Sequence, residues 1–205
     1  MKFYNSVGPN PHVVRMFMAE KGLDIPVQQI DLMKGENRQP PYAEKINTAG
    51  QMPALELDDG TTVCEITAIC EYLEEIQPEP VLIGATPKER AETRMWTRRI
   101  DLNIVEPLTN GFRAAEGRPL FESRFRLVRA EAAEDLKAIA KDKILWLDSQ
   151  MDGRIFVCGD RFSLADILLY CFLAFGAQVG QSLPAEAKWL PVWFAKVKER
   201  PSASA

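Results

Sequence analysis

One histidine in 205 residues, His12, is the chain's whole supply of imidazole: it cannot complete the usual zinc sets, and, alone on a helix's first turn, it reads as a surface or packing residue and not as the base of a Ser-His-Asp relay. The four cysteines, Cys64, Cys70, Cys158 and Cys171, never stand as Cys-x-x-Cys, which excludes a zinc ribbon and redox dithiol chemistry. All four lie among apolar neighbours and read as reduced core residues, with no metal expected. The chain has no Gly-x-Gly-x-x-Gly after a strand, no Gly-x-x-x-x-Gly-Lys-Ser/Thr and no Gly-x-Ser-x-Gly, so the usual phosphate cradles and the serine-hydrolase elbow are absent. A basic excess is missing too: the net charge is −4 and the pI is near 5.2, against the concentrated positive face that nucleic acid requires. The longest apolar run, residues 167–177, is 11 residues long, where a membrane span takes about 20. The first ten residues lack the basic-then-apolar pattern of a leader. A cytoplasmic protein with neither a nucleic-acid nor a membrane partner is expected.

What is present changes character partway along the chain. The first 77 residues switch period repeatedly. "KFY" reads as a short strand, 11–21 carries Val13, Val14, Phe17 and Met18 at helical spacing with Gly22 as a stop, and "IPVQQIDL" (25–32) reads as a second strand. Short joints between strand, helix and strand imply a right-handed βαβ unit with parallel strands. "MPALELDDGTTVCE" then reads as a hairpin turning around Asp58, Asp59 and Gly60, and "ITAICEYLEEI" (66–76) as a helix with Ile69, Tyr72, Leu73 and Ile76 on one face. The order βαβ then ββα is the thioredoxin-like arrangement.

Residues 78–85 form a Pro-containing linker, and 86–205 read almost wholly as helix. Thr86, Pro87 and Glu89 spell an N-cap, a proline at the first helical position and a capping-box acceptor. Helical spacing runs to about 115, resumes from about 121 to 151, and restarts at "FSLADILLYCFLAFGA". There Ser163 and Asp166 make a second capping box, and Phe162 and Ile167 occupy the positions of a hydrophobic staple. "LPVWFAKVKE" supplies a last helix. The fold class is therefore α/β plus all-α, a thioredoxin-like domain followed by a helical bundle.

Three stretches of the first domain carry chemistry. "FYNSVGPNPHVVRMF" (3–17) is a strand-to-helix turn bearing Ser6, Gly8 and Asn10, where backbone N–H groups can hold an anion. In "QMPALEL", a proline at the start of a hairpin strand can take the cis form and turn the backbone of the preceding residue toward a ligand. In "CEITAIC", the helix start offers the N–H groups of Ile66 and Thr67 to a carboxylate, and Glu65 offers its charge to an ammonium. An amino acid's head group carries those two charges side by side.

With "GQMPALELDDG" and "EITAICEYL" in the first half and "GDRFSLADI" in the second, the whole chain resembles a cytosolic glutathione transferase of the bacterial kind, and at "PNPHVVRMF" it resembles members with an asparagine at the thiol turn. The resemblance implies glutathione as co-substrate. Met52 and Pro53 would present backbone to its cysteinyl part, Glu65, Ile66 and Thr67 would receive its γ-glutamyl end, and Asn37 and Gln51 would approach its glycine carboxylate. Ile66 stands where the family usually has serine, and Gly8 where such members have threonine. Asn10 and Ser6 are the residues offered to the sulfur. The helical domain would supply the second-substrate cleft around Leu108, Phe112 and Arg113, for a small electrophile or a disulfide or peroxide, and subunits would pair as homodimers. The alternative is a non-catalytic module of the same fold that binds a ligand or a protein partner.

Overall fold

The computed structural model describes residues 1–205, and the chain divides into two compact units, Met1–Leu82 together with Pro201–Ala205, and Ile83–Arg200.

The first unit is built on a four-stranded sheet. Strand β1 (Lys2–Asn5) leads into helix α1 (Pro9–Glu20), which returns to β2 (Val27–Gln29); β3 (Ala54–Glu56), β4 (Thr62–Cys64) and α2 (Ile66–Ile76) follow. The strand order is β2-β1-β3-β4. β1 and β2 are parallel because a helix connects them, whereas β3 and β4 are antiparallel because only a tight turn does. That turn closes through Leu57 N–H to the Thr61 carbonyl at 2.8 Å, with the Asp59 carboxylate accepting from Thr61 N–H at 2.8 Å. Phe3 and Leu55, paired across β1 and β3, have no exposed surface. Their neighbours Tyr4 and Ala54 point the other way, as a pleated sheet demands, into a cluster with Ile30, Tyr42 and Met52.

α2 has the expected bounds, but it buries Ile69, Cys70 and Leu73 and leaves Ile76 exposed. The stripe expected through Ile76 stops a turn early, where Glu74 takes over: it pairs with the fully buried Lys21 ammonium and accepts from Leu82 N–H at 3.0 Å. Lys21 also donates to the Pro78 and Pro80 carbonyls at 3.0 and 2.6 Å, so residues 78–82 are tied to the first unit. The last five residues, read from sequence as part of the helical domain, also pack with the first unit. His12 Nε2 lies 3.1 Å from the Ala203 carbonyl, Arg15 Nε donates to the Ala205 carbonyl at 3.0 Å, and Ser202 donates to Glu20.

The second unit is helical: α3 (Pro87–Ile100), α4 (Glu106–Ala114), α5 (Arg118–Phe121), α6 (Ala133–Ser149), α7 (Leu164–Gln178) and α8 (Trp189–Lys198). The Thr86–Glu89 capping box starts α3, with Glu89 N–H on the Thr86 hydroxyl at 3.2 Å and Thr86 N–H on Glu89 at 3.0 Å. A π-helical stretch, Asp101–Val105, carries the chain from α3 into α4 without a break. The helix expected from about 121 begins only at 133, after a 3₁₀ turn at Ala130–Ala132. Arg118 is one reason, since its guanidinium donates to the carbonyls of Ala114 (2.9 Å) and Val128 (2.6 Å) and anchors the intervening chain as a loop. α7 is buried along most of its length. Asp148, at the end of α6, caps α8 by accepting from the N–H groups of Lys188, Trp189 and Leu190 at 2.7–2.9 Å.

Candidate functional site

The sheet register brings the three stretches of the first unit into line. Tyr4 pairs with Ala54 and Ala54 with Cys64, so the exit of β1, the start of β3 and the exit of β4 share one sheet edge. Neighbouring strands lie about 4.8 Å apart. The 5–10 turn, the Met52–Pro53 step and Glu65 therefore stand side by side across about 10 Å, the length of a short peptide.

At the first of these, Gly8 (φ 109°) is the N-cap of α1 and no side chain caps the helix. Pro9 and Pro11 lack N–H groups, so Asn10 supplies the one backbone donor among the first three helical positions. The Asn10 side chain is half-buried and makes no hydrogen bond within the protein, which leaves its amide open to a ligand. Ser6 is different. Its side chain is buried and its hydroxyl donates to the Ile30 carbonyl at 2.7 Å. That proton is spent on joining the turn to the end of β2, which argues against Ser6 as the donor to a sulfur. Beneath the turn, Arg15 Nη1 donates to the Asn5 side chain at 2.7 Å and to the Ser6 carbonyl at 3.3 Å. Tyr4 does not reach the turn's ligand side: its hydroxyl donates to Glu56 at 2.7 Å, and burial and that carboxylate push its pKa up to about 12. Burial lowers the His12 pKa, with the Ala203 carbonyl opposing, consistent with a packing role.

At the second, the Met52–Pro53 bond is cis. The Gln51 carbonyl just before it accepts from the Tyr42 hydroxyl at 2.6 Å and from Asn47 Nδ2 at 3.1 Å, so the backbone is fixed while the Gln51 side chain stays exposed. Asn37 is a correction. Only 3% of it is exposed, and its amide donates to the Gly50 carbonyl at 2.5 Å, which makes it a brace for the loop. A side chain on Gly50 would collide with Asn37 and Arg38, which explains a glycine there.

At the third, Glu65 has φ 70° and ψ 127°, and is the one non-glycine residue with positive φ. Such a conformation costs on the order of 1–3 kcal/mol, and functional sites are where it is commonly retained. Glu65 is exposed, and the strained backbone sets it at the head of α2. No side chain caps that helix, which leaves the first-turn N–H groups, starting with Ile66 and Thr67, available to an anion. Cys64, next door, is no rival nucleophile, because burial and the Glu65 charge raise its thiol pKa.

In the helical unit the expected cleft residues separate. Leu108 has no exposed surface, and its carbonyl accepts from Gln181 Nε2 at 3.1 Å, so it is a core residue and the expectation that it meets a ligand fails. Phe112 and Arg113 are partly exposed. Phe112 packs edge-on against Phe121 and Phe175, with ring centroids 6.2 and 5.1 Å away. The Arg113 guanidinium lies 5.6 Å from the ring centroids of both Phe121 and Phe125. Sequence spacing gave no signal for Arg15, Tyr42, Asn47 or the backbone of Glu65, because each acts through a distant contact or a local dihedral.

No group of histidine, cysteine and acidic side chains in the structure is arranged to hold a metal, and no helix is long and apolar enough to cross a membrane. A four-stranded thioredoxin-like sheet with two helix starts that no side chain caps, followed by a separate helical unit, defines a two-unit class of thioredoxin-like protein. The sequence profile for "Glutathione S-transferase, N-terminal domain" matches residues 7–76 and that for "Glutathione S-transferase, C-terminal domain" matches 117–201. The chain belongs to the glutathione S-transferase family. It is 35% identical over 201 residues to glutathione S-transferase 2 of Saccharomyces cerevisiae, covering 95% of this chain and 84% of that one. The crystal structure of a glutathione S-transferase domain-containing protein from Marinobacter aquaeolei is similar with a TM-score of 0.92 and 34% identity, across 99% of this chain and 100% of that one. A protein called FtsZ-localized protein A, from Caulobacter vibrioides, is 28% identical over 94% of this chain and 84% of its own length.

Proposed function

We propose that the protein is a glutathione transferase that lays glutathione along the sheet edge and holds its sulfur as a thiolate beside Asn10. The observation that carries this is the uncommitted Asn10 amide at an uncapped helix start, in register with an uncapped second helix at Glu65. Glutathione brings its own nucleophile, so the protein needs donors rather than a cysteine or a base. A donor to the sulfur favours the thiolate over the thiol. Lowering a thiol pKa from about 8.5 by two units requires about 2.8 kcal/mol, within the reach of a charge-assisted hydrogen bond and a helix N-terminus.

The γ-glutamyl carboxylate would sit on the N–H groups of Ile66 and Thr67, with Glu65 toward the ammonium, and the backbone of Met52 would hold the cysteinyl part. Gln51 is left as the side chain facing the glycine end. Ile66 brings no hydroxyl, so the backbone and Thr67 carry that contact.

Modest activation of this kind suits disulfide or peroxide reduction at least as well as aryl conjugation, because thiol–disulfide exchange gains little once the thiol pKa reaches ambient pH. In such a step the thiolate attacks one sulfur of the disulfide, a new S–S bond forms, the old one breaks, and the departing thiolate takes a proton from water. The protein works as a cytoplasmic homodimer in this reading. The second reading, a non-catalytic module, is favoured by Ile66 and by the kinship with a protein named for its place at FtsZ.

Retention on immobilised glutathione followed by turnover of an aryl halide and a small disulfide separates the readings. Binding with turnover supports the transferase, and binding without turnover supports the module.

A further inference from the structure

Arg113 is a cation with no directly paired anion; the one opposing charge that acts on it, Glu106, does so from a distance. The one hydrogen-bond acceptor of Arg113 is Asn110 Oδ1, at a long 3.4 Å, and the guanidinium has no ion pair. Asn110 in turn donates to Glu106 at 3.0 Å, so this acid reaches the guanidinium through an amide and not by direct contact, and its charge only partly offsets the burial. The other local acids are taken: Glu122 lies 4.0 Å from Arg118, and Glu116 pairs with Lys137 at 2.7 Å. Five arginines and two glutamates lie between residues 111 and 130 of a chain whose net charge is −4, so this stretch is locally positive. Burial makes the charge costlier to keep, which shows in a lowered Arg113 pKa.

The surroundings shape what could neutralise it. The guanidinium lies over Phe121 and Phe125, and Phe121 packs in turn on Phe112, which packs on Phe175; all four rings are partly exposed. The rings remove water from the cation, while most of its five N–H donors remain unused. A guanidinium fork of this kind matches a carboxylate's two oxygens, and exposed aromatic rings match a planar apolar body.

We infer that the helical unit selects a second substrate in which a carboxylate is joined to an aromatic body, the carboxylate on Arg113 and the body among Phe112, Phe121, Phe125 and Phe175. This rests on the reading of the protein as a glutathione transferase, since it assigns the class of that enzyme's acceptor. A neutral aryl acceptor would gain the rings and leave the cation without a directly paired anion.

The test uses matched probes on the full chain. Binding of 3-nitrobenzoate and of its neutral counterpart 3-nitrobenzamide is measured calorimetrically with wild type, Arg113→Lys and Arg113→Met. The wild type is expected to bind the benzoate at least tenfold more tightly than the benzamide, Arg113→Lys to keep part of that preference, and Arg113→Met to lose it. Equal binding of the two probes by the wild type, or an unchanged preference in Arg113→Met, overturns the inference. Because circular dichroism reports whether Arg113→Met is folded and Arg113→Lys preserves the charge, a collapsed variant cannot mimic the expected result. Turnover is scored separately with 4-chloro-3-nitrobenzoate, where the glutathione thiolate forms a C–S bond, the C–Cl bond breaks and chloride leaves with its electron pair. Selective binding without turnover sinks the transferase reading and leaves the anion site standing; turnover without selective binding does the reverse.

Discussion

The Trp193 indole N–H donates to Asp166 Oδ1 at 2.9 Å, joining α8 to the first turn of α7. The same carboxylate accepts from Val157 N–H at 2.9 Å and from both the N–H and the hydroxyl of Ser163 at 3.0 Å. Asp166 is fully buried. It is therefore more than the helix cap its sequence position suggests, because it also secures the loop before α7 and a tryptophan from α8. Asp166→Ala strands three buried N–H donors, while the Ser163 hydroxyl keeps the Cys158 sulfur as an acceptor at 3.5 Å. At about 1–3 kcal/mol for a buried donor left without a partner, and with some relaxation, the variant is expected to lose about 3–5 kcal/mol in urea unfolding. The turnover of its folded fraction should stay close to wild type.

Asp166 also makes a pH prediction of definite sign. Burial pushes its carboxyl up to about 6, against four donors that favour the ionised form, from an ordinary value of 3.8. Between those values the folded chain holds a proton that the unfolded chain releases, so this group's contribution to stability is largest below pH 4 and falls as pH rises through 6. Two units amount to about 3 kcal/mol. Unfolding free energies of wild type and Asp166→Asn across pH 4–7 should converge by up to that amount as pH rises. A difference that is flat or widens with pH would reject the assignment.

In the first unit, the Lys21 ammonium has no exposed surface and three oxygen partners, Glu74 and the carbonyls of Pro78 and Pro80. Lys21→Met removes the charge that compensates Glu74 and leaves both carbonyls unpartnered. A loss of about 3–5 kcal/mol is expected, as for one half of a buried pair. Lys21→Met with Glu74→Gln should recover part of it, because the uncompensated carboxylate is gone while Leu82 N–H keeps an acceptor. Chemical denaturation of the two variants measures this, and a double variant worse than the single one would count against a pair.

Glu65 sets stability against function. Its φ of 70° costs an ordinary residue on the order of 1 kcal/mol or more, and costs glycine little. Glu65→Gly is therefore expected to raise the thermal midpoint by a few degrees while weakening glutathione binding at least tenfold through loss of the carboxylate. Calorimetric titration and thermal melts on one preparation read both. A variant that is more stable and binds as tightly as wild type would remove Glu65 from the site.

What could be read from sequence was local. The Thr86–Glu89 box, the Asp59–Gly60 hairpin and the bounds of α2 follow from residues a few positions apart, which is the range over which caps, turns and helical faces act. Where a distant partner decides, the sequence was silent or misleading. Ser6 looks like a free hydroxyl in a turn until Ile30 accepts its proton, and Asn37 looks like a ligand residue until Gly50 does the same. Leu108 sits at a helical spacing that serves a core as well as a cleft, and Gln181 and α7 made it core. Pro201–Ala205 follow a helix but pack on α1, through contacts 182 to 191 residues away in sequence.

The sharpest consequence of those contacts concerns the two candidates at the thiol turn. Asn10 has an unused amide at the helix start, whereas the Ser6 hydroxyl is committed to Ile30. If Asn10 stabilises the thiolate, Asn10→Ala raises the kinetic pKa of bound glutathione. Turnover then falls much more at pH 6.5 than at pH 9, where the thiol ionises without help, and glutathione affinity changes little. Ser6→Ala should do the opposite: it leaves the pH–rate profile in place and lowers stability by about 1–3 kcal/mol, because the Ile30 carbonyl loses its buried partner. A profile shifted by Ser6→Ala and untouched by Asn10→Ala would hand the sulfur to the serine, and would require the hydroxyl to abandon Ile30 when glutathione binds. Profiles unmoved in both variants would leave the thiolate to the Asn10 backbone N–H, the one donor of that helix start which no side-chain substitution removes.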